Sequence, residues 1–175
     1  MKLAITVLGN KAEGLIAEIS AVLNLCQCQI LEIRSAGLTL LTGVYLLIDG
    51  NWNQIAKLEA LLEILAKRYE LSISFLRPDE QPFLATEGIP CLLETISSDQ
   101  KEAVAAISRF LLERGVLIEE LSASRQQAAF FKHCIFSTKF IVLVPSNVSM
   151  LSLREDFLDF CDEQNIDGIL EPIKR

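Results

Sequence analysis

The stretch LGNKAEGLIAEISAVLNLCQCQILEI, residues 8–33, decides the fold because the chain contains it twice. At a distance of 88 residues it aligns with ISSDQKEAVAAISRFLLERGVLIEEL, residues 96–121. The same or a closely similar side chain recurs at several positions: Ile19 and Ile107, Ser20 and Ser108, Leu23 and Leu111, Ile30 and Ile118, Glu32 and Glu120. An internal repeat of this kind indicates one structural unit that is built twice.

Each copy shows the same order of hydrophobic periods. Strand-like alternation occurs at 3–8, 30–36, 40–48 and 71–76 in the first copy, and helical spacing at 15–23 and 55–65. The second copy repeats this order, with strands at 92–96, 117–122, 135–144 and 166–170 and helices at 104–111 and 153–161. The pattern predicts an α+β fold of two ferredoxin-like βαββαβ domains in tandem, each an antiparallel sheet with helices on one face.

A stretch with three prolines, RPDEQPFLATEGIP at 77–90, separates the copies. This composition is typical of a linker, so we expect a first domain at 1–77, a linker at 78–90 and a second domain at 91–175. Further on, VYLLID at 44–49 matches FIVLVP at 140–145, an offset of 96. The increase from 88 to 96 predicts an eight-residue insertion within SRQQAAFFKH, residues 124–133 of the second copy.

Four polar residues predict helix N-termini, because each is followed three positions later by Glu or Gln, as in a capping box. The pairs are Asn10 with Glu13, Asn51 with Gln54, Asp99 with Glu102, and Ser152 with Glu155.

The third strand of each copy is apolar on both faces. In the first copy Leu41, Tyr45 and Leu47 point one way, and Leu40, Val44, Leu46 and Ile48 the other. Helices can cover one face only, whereas a wet face should be polar. We therefore expect the second face of each sheet to be buried against the other copy, against another chain, or against both.

The net charge and the composition argue against several classes of protein. The net charge is −7 and the pI is about 4.8, whereas a protein that grips the phosphate backbone usually carries a basic face. Direct binding of nucleic acid is therefore disfavoured. No apolar stretch approaches the ~20 residues that span a bilayer, and no secretory signal is visible. Five cysteines, an odd number and mostly within apolar segments, are typical of reduced core thiols. We expect a cytoplasmic protein that does not contact membranes.

Motifs for catalysis are absent from the sequence. There is no G-x-S-x-G, H-E-x-x-H or glycine-rich phosphate loop. The sole histidine, His133, directly precedes Cys134, and adjacent residues of a strand point to opposite faces, which works against a Cys–His pair. We expect no enzymatic activity, no cofactor and no metal site.

Two βαββαβ units with a glycine at the first strand–helix junction resemble tandem ACT domains, which are amino-acid-sensing regulatory modules. The pairing without a further domain resembles the glycine cleavage transcriptional repressors. GLIAEISAVLNLCQCQILE (14–32) and AISRFLLERGVLIEEL (106–121) carry the resemblance, which covers nearly the whole chain. It implies that a small effector, an amino acid such as glycine, binds at an interface beside this turn, where the N–H groups of a helix start attract a carboxylate. The implied ligand-binding residues are Asn10, Glu13, Gly14 and Leu15, faced by Gln29 and Ile30 at the opening of the second strand.

The turn departs from the family pattern, which is roughly D-R-P-G. The first copy reads KAEG at 11–14, so Lys11 replaces the acid and Glu13 replaces the proline. The second copy reads DQKE at 99–102 and has Glu102 where the glycine should be. We expect this carboxylate to repel a ligand carboxylate and to fill the gap. A second interpretation of Gly14 is that it only eases packing between helix and strand.

The inserted loop is a candidate partner-binding segment. It places Phe130 and Phe131 beside Lys132 on a projection, and such aromatic and basic residues suit a protein contact. Alternatively, both phenylalanines fold back over a sheet edge.

Two functional hypotheses follow. In the first, the chain is a regulator that senses a metabolite, forms a homodimer and acts through a protein partner, by resemblance a LysR-type activator. In the second, it is a ligand-blind interaction module.

Overall fold

The computed structural model of the chain describes residues 1–11, 13–78, 87–98, 102–127 and 134–173. The chain divides into two compact units, Met1–Pro82 and Phe83–Arg175. Within the described ranges, no helix combines the length and the apolar character that crossing a membrane requires.

The first unit has the element order βαββαβ. Its elements are β1 (Lys2–Asn10), α1 (Leu15–Leu25), β2 (Gln29–Leu38), β3 (Leu41–Asp49), α2 (Trp52–Tyr69) and β4 (Ser72–Leu76). The strands form an antiparallel sheet in the order β2–β3–β1–β4. β1 is therefore an inner strand, and β2 and β4 are the edges.

The second unit repeats this order. Its elements are β5 (Gly88–Ser97), α3 (Ala103–Glu113), β6 (Leu117–Gln127), β7 (Cys134–Pro145), α4 (Met150–Gln164) and β8 (Asp167–Pro172). The sheet order is β6–β7–β5–β8, again antiparallel. The predicted fold class is thus confirmed. β5 starts at Gly88, so its first three residues overlap the predicted linker at 78–90; residues 79–86 lie outside the described ranges, and the domain limits stay a prediction.

The core of each unit lies between the sheet and its two helices. Alternate residues of β1 are buried, and the helices add residues at spacings of three and four, as the two periods require. In the first unit these residues are Leu3, Ile5 and Val7 from β1, Leu15, Ile19 and Leu23 from α1, and Ile55, Leu58, Leu62 and Leu65 from α2. The second unit has a separate core of the same design around Leu93, Ile107, Phe140 and Phe157.

The strand registers correct the predicted insertion. Leu3 pairs with Ile48, and the counterpart of Leu3, Cys91, pairs with Val142. The third strands are thus related by an offset of 94, and the insertion has six residues instead of eight. The sequence alignment favoured an offset of 96 because valine, leucine and isoleucine recur along both strands. A shift by two residues keeps every side chain on its own face, so it leaves the apolar pattern unchanged.

Both copies share an irregularity that the sequence did not reveal. The pairing of β2 with β3 shifts register between Ile30 and Glu32, and that of β6 with β7 shifts between Ile118 and Glu120. Leu31 and Glu119 are therefore the extra residues of two β-bulges, and they occupy equivalent positions of the repeat. Because a bulge bends its strand and increases the local twist, the duplicated unit has kept the curvature of its edge strand.

Two of the predicted helix caps are wrong and one is confirmed. Asn51 caps α2 with a full capping box, in which its side chain accepts from the Gln54 N–H at 3.0 Å and the Gln54 side chain accepts from the Asn51 N–H at 2.8 Å. Asn10 does not cap α1, because β1 continues through Asn10 and the helix begins after Gly14. α4 begins at Met150, two residues before Ser152, and its N-cap is Ser149.

The N-cap of α3 is Glu102. The predicted cap at this helix, Asp99, lies outside the described residues.

The helix-free face of each sheet keeps large apolar side chains at the surface of the chain. Leu8 and Tyr45 of the first unit and Ile96 and Ile169 of the second are between 45% and 56% exposed. Burial of this face against the other copy or a second chain stays a prediction. Leu40, which alternation placed on the helix side, lies in the hairpin turn between β2 and β3 and is 76% exposed.

One cross-strand pair differs in chemistry between the two cores. Val7 pairs with Val44 in the first unit, and at the equivalent position of the second unit Thr95 pairs with Thr138. Both threonines are buried, and their hydroxyl oxygens lie 2.7 Å apart in a hydrogen bond. The second core thus accommodates two hydroxyls because each satisfies the other.

We expect Thr138→Val alone to lower the free energy of unfolding by about 1–3 kcal/mol, because it leaves the Thr95 hydroxyl buried without its partner. The double substitution Thr95→Val/Thr138→Val should return close to wild-type stability, since it reproduces the Val7–Val44 pair. Urea denaturation measures both values. A double variant as unstable as the single one would contradict this account.

Candidate ligand site at the turn between β1 and α1

The turn between β1 and α1 lies at the end of the sheet that carries the β2–β3 hairpin. Asn10, the last residue of β1, is exposed and pairs with Leu41. The Lys11 N–H donates to the Leu40 carbonyl at 3.0 Å and so ties the turn to the hairpin. Glu13 is exposed in the turn. Leu15, by contrast, is 2% exposed and anchors the first helical residue in the core.

The backbone conformation at position 14 requires a glycine. It is the N-cap of α1 with φ 78° and ψ 0°, in the left-handed region, which costs other L-residues about 1–2 kcal/mol. A Cβ placed on Gly14 would meet no atom of the described residues within 4 Å. The interpretation that this glycine eases packing between helix and strand is therefore wrong, because no described residue packs against this position. The turn needs positive φ, and the space beside its backbone is open.

This geometry favours an anionic group. The first turn of a helix has N–H groups without intrahelical partners, and the helix dipole makes this end positive. Gly14 has no side chain that could accept from them. Lys11 adds a cation at the same end of the sheet, since its Nζ lies 3.9 Å from the Cβ position of Gly37 in β2. Lys11 departs from the family pattern, in which an acid stands at this position, but it adds a positive charge to the end of the sheet where the helix begins.

The predicted ligand-binding residues do not come together within the first unit. Asn10 shares a row of the sheet with Leu38, whereas Gln29 shares a row with Lys2, at the start of β1. The two rows are eight residues apart, about 26 Å at roughly 3.3 Å per residue. Ile30 lies beside Gln29 and is equally remote. The structure thus groups Asn10, Glu13, Gly14 and Leu15, and a site that also includes Gln29 and Ile30 requires a second copy of the unit.

The equivalent turn of the second unit is built differently. Glu102 is the N-cap of α3 but has φ −123°, outside the left-handed region. That Glu102 fills the gap beside this turn stays a prediction. Glu102 lines an open cavity of about 520 Å³, together with Ser98, Gln164 and Asn165. The charge of Glu102 makes this turn less suited to a carboxylate than the turn at Gly14.

The predicted partner-binding residues Phe130, Phe131 and Lys132, and with them His133, lie outside the described residues. The strands that lead to them are β6 and β7, which form a hairpin up to the pair Gln127 and Cys134. Whether these side chains bind a partner or cover a sheet edge therefore stays a prediction.

The described cysteines form no disulfide, and three of them have a raised pKa. All five thiols are free. Burial raises the pKa of the Cys161 thiol to about 11, and the nearby carboxylates of Asp162 and Asp167 add to the rise. Burial likewise raises the pKa of Cys28 and of Cys91. These three thiols stay protonated at neutral pH, whereas nucleophilic cysteines have a lowered pKa.

The family model of the ACT domain matches residues 2–76. Among solved structures, the chain is similar to a candidate glycine cleavage system transcriptional repressor at 22% identity, with a TM-score of 0.78 over 99% of this chain and 98% of that one. It is similar to an unknown protein from Galdieria sulphuraria at 19% identity, with a TM-score of 0.77 over the same shares. No curated protein sequence matches the chain.

At these identities the two solved structures show a shared fold, and the likeness extends over both units. The family match adds the assignment of the first unit, which contains the turn at Gly14. The chain therefore has a tandem ACT-like fold, and its first unit matches the ACT domain model.

Proposed function

We propose that the chain is a non-catalytic regulatory protein of the cytoplasm that binds an amino acid at the β1–α1 turn of its first unit. In this proposal glycine is the first ligand to test, the binding form is a homodimer, and the output is control of transcription through a protein partner such as a LysR-type activator. The ACT domain in the first unit supports regulation, and the five free thiols are typical of a reducing compartment.

The observation that carries the proposal is the conformation of Gly14. A left-handed glycine at an open helix N-terminus leaves room for a ligand against the backbone. A ligand carboxylate placed there accepts from the first N–H groups of α1 and is attracted by the Lys11 amine. The exposed Glu13 carboxylate and the Asn10 side chain are suited to the ligand ammonium group. One small amino acid thus has an oppositely charged group for each of its two ends.

The remoteness of Gln29 supports the homodimer. β2 is an edge strand of the sheet, and all ten of its residues are exposed. Antiparallel pairing of β2 with β2 of a second copy sets the start of one strand beside the end of the other. Gln29 and Ile30 of one copy then approach the row of Asn10 in its partner. This arrangement sets Gln29 and Ile30 at the end of the sheet where the other four predicted ligand-binding residues lie.

The acidic balance of the chain supports regulation through a protein. With a net charge of −7, the surface repels the phosphate backbone, so a partner is needed to reach DNA. The similarity to a candidate transcriptional repressor of the glycine cleavage system is the reason for testing glycine first and for proposing transcription as the output.

The second candidate is an interaction module without an effector. Glu102 at the turn of the second unit favours it, because that turn has lost both the glycine and the left-handed conformation. If the first turn has also ceased to bind, the positive φ at Gly14 is a remnant of the fold alone.

We expect Gly14→Ala to lower the free energy of unfolding by about 1–2 kcal/mol, because alanine is strained at φ 78°. Gly115 has φ 68° and equally open surroundings at the end of α3, so Gly115→Ala should cost a similar amount. Urea denaturation compares the two. Wild-type stability in Gly14→Ala would show that the turn does not require positive φ.

For the ligand, we expect one of the common amino acids in large excess to raise the melting temperature. An excess of a hundredfold over Kd stabilises the folded state by about 2.7 kcal/mol. Gly14→Glu, which installs the residue of the second unit, should abolish this rise, and Lys11→Met should reduce it. Gly115→Glu has the same charge and a similar backbone strain away from the turn, so it should keep the rise.

If Gly14→Glu keeps the rise as well, the ligand binds elsewhere and the proposed site is wrong. If no amino acid raises the melting temperature of the wild-type protein, the interaction module is the better account.

A further inference from the structure

A groove of about 520 Å³ runs between α3 and α4 of the second unit. Its floor is aromatic. The rings of Phe110 and Phe160 have centroids 4.9 Å apart, and Phe110 also meets Phe157 edge-on at 5.7 Å. Phe110 is buried and Phe160 is half-buried. The groove therefore offers flat apolar surface that the core has not covered completely.

Carboxylates dominate the rim of the groove. α4 contributes Asp156, Asp159 and Glu163, which are three and four residues apart and so share one face of the helix. Glu102 and Glu113 line it from the side of α3. The two cations in the lining are Arg109 and Arg114. Five acidic and two basic side chains leave the groove with a net negative charge.

The groove already holds one guanidinium group. The Arg114 Nε donates to Asp156 Oδ2 at 3.1 Å, and its guanidinium carbon lies 3.8 Å from the centroid of the Phe110 ring. The Arg114 guanidinium thus has a carboxylate at its edge and an aromatic ring against its face. Sites that bind an arginine side chain use the same two contacts. Among the residues that the structure describes, Asp159, Glu163 and Glu113 have no ion pair. Three further carboxylates thus line the same groove as the two phenylalanines.

This surface is not a consequence of the repeat. At a distance of 88 residues, Arg109 corresponds to Ala21 and Glu113 to Leu25. In the first unit the Lys57 amine crosses from α2 to the Leu25 carbonyl at 3.3 Å. Equivalent backbones thus carry different surfaces, and the charges of this groove are specific to the second unit.

We propose that this groove binds a basic segment of a protein partner, with an arginine stacked on the phenylalanine floor and further cations on the rim carboxylates. From Asp156 to Glu163 the rim of α4 extends about 10 Å, at roughly 1.5 Å per residue. A single amino acid has one side-chain cation and does not span this distance, so the occupant is a peptide with at least two basic residues. The proposal uses neither Gly14 nor a metabolite, so it can fail or succeed independently of the proposed function.

The test is fluorescence anisotropy of a labelled synthetic peptide with several arginines, titrated with the full-length protein. The groove variant is Asp159→Asn/Glu163→Gln. The matched control is Glu155→Gln/Asp162→Asn, which removes the same charge from the same helix at positions outside the groove lining. Both variants remove two negative charges from α4. Any additional loss of affinity in the groove variant is therefore due to contacts in the groove. Thermal melts establish that both variants are folded.

We expect the groove variant to weaken binding by roughly tenfold and the control by less than about twofold. A peptide with lysine in place of arginine should bind the wild-type protein more weakly, because an ammonium group lacks the planar face that stacks on Phe160. Equal losses in the two variants, or no binding of the arginine peptide, would overturn the proposal. So would a change in self-association in the groove variant by sedimentation velocity, which would assign the groove to a second copy.

Discussion

The burial of one face of an inner strand is the constraint on which each unit depends. In the first unit, β1 pairs with a strand on either side, and Leu3, Ile5 and Val7 are at most 1% exposed. Burying a side chain of this size contributes roughly 1.5–3 kcal/mol, so a register shift by one residue that exposed this set would be prohibitive. The helices must cover this face, and the connection from β1 to α1 must therefore turn sharply at the end of the strand. The first unit makes this turn with a left-handed Gly14, whereas the second makes it with Glu102 at φ −123°.

Duplication has preserved the backbone and changed the chemistry. Both units keep a bulge at the same place in the edge strand, and both use a left-handed residue after their first helix, Gln27 in one and Gly115 in the other. The side chains differ where the fold does not depend on them. A valine pair in the first unit corresponds to a hydrogen-bonded threonine pair in the second, and the first helix of the first unit, whose one charged residue is Glu18, corresponds to a helix that carries Arg109 and Glu113. The turn that could hold a carboxylate has a glycine in one unit and a glutamate in the other.

These differences suggest a division of labour between the units. The first unit has the open, positive helix start and the match to the ACT family, which suit a small anionic metabolite. The second has an acidic groove over aromatic rings, which suits a basic peptide. A regulator needs one surface that reads a signal and another that meets a partner. The two proposals place these properties on different copies of the same scaffold, so each surface can vary without disturbing the other.

The sequence by itself determined the repeat, the order of the elements and the cap of α2. These features depend on local periodicity and on contacts within a single turn, such as Asn51 with Gln54, so they can be read from neighbouring residues. It also identified Gly14, although not the reason for it. The tertiary structure alone decided the offset of 94, the separation of Gln29 from Asn10 and the grouping of Phe110 with Asp156. Each of these depends on which strands pair, in which register, and on which helices pack side by side. Such long-range choices depend on the burial of the whole face, and alternating valines and leucines satisfy several registers equally well until the complete sheet selects one.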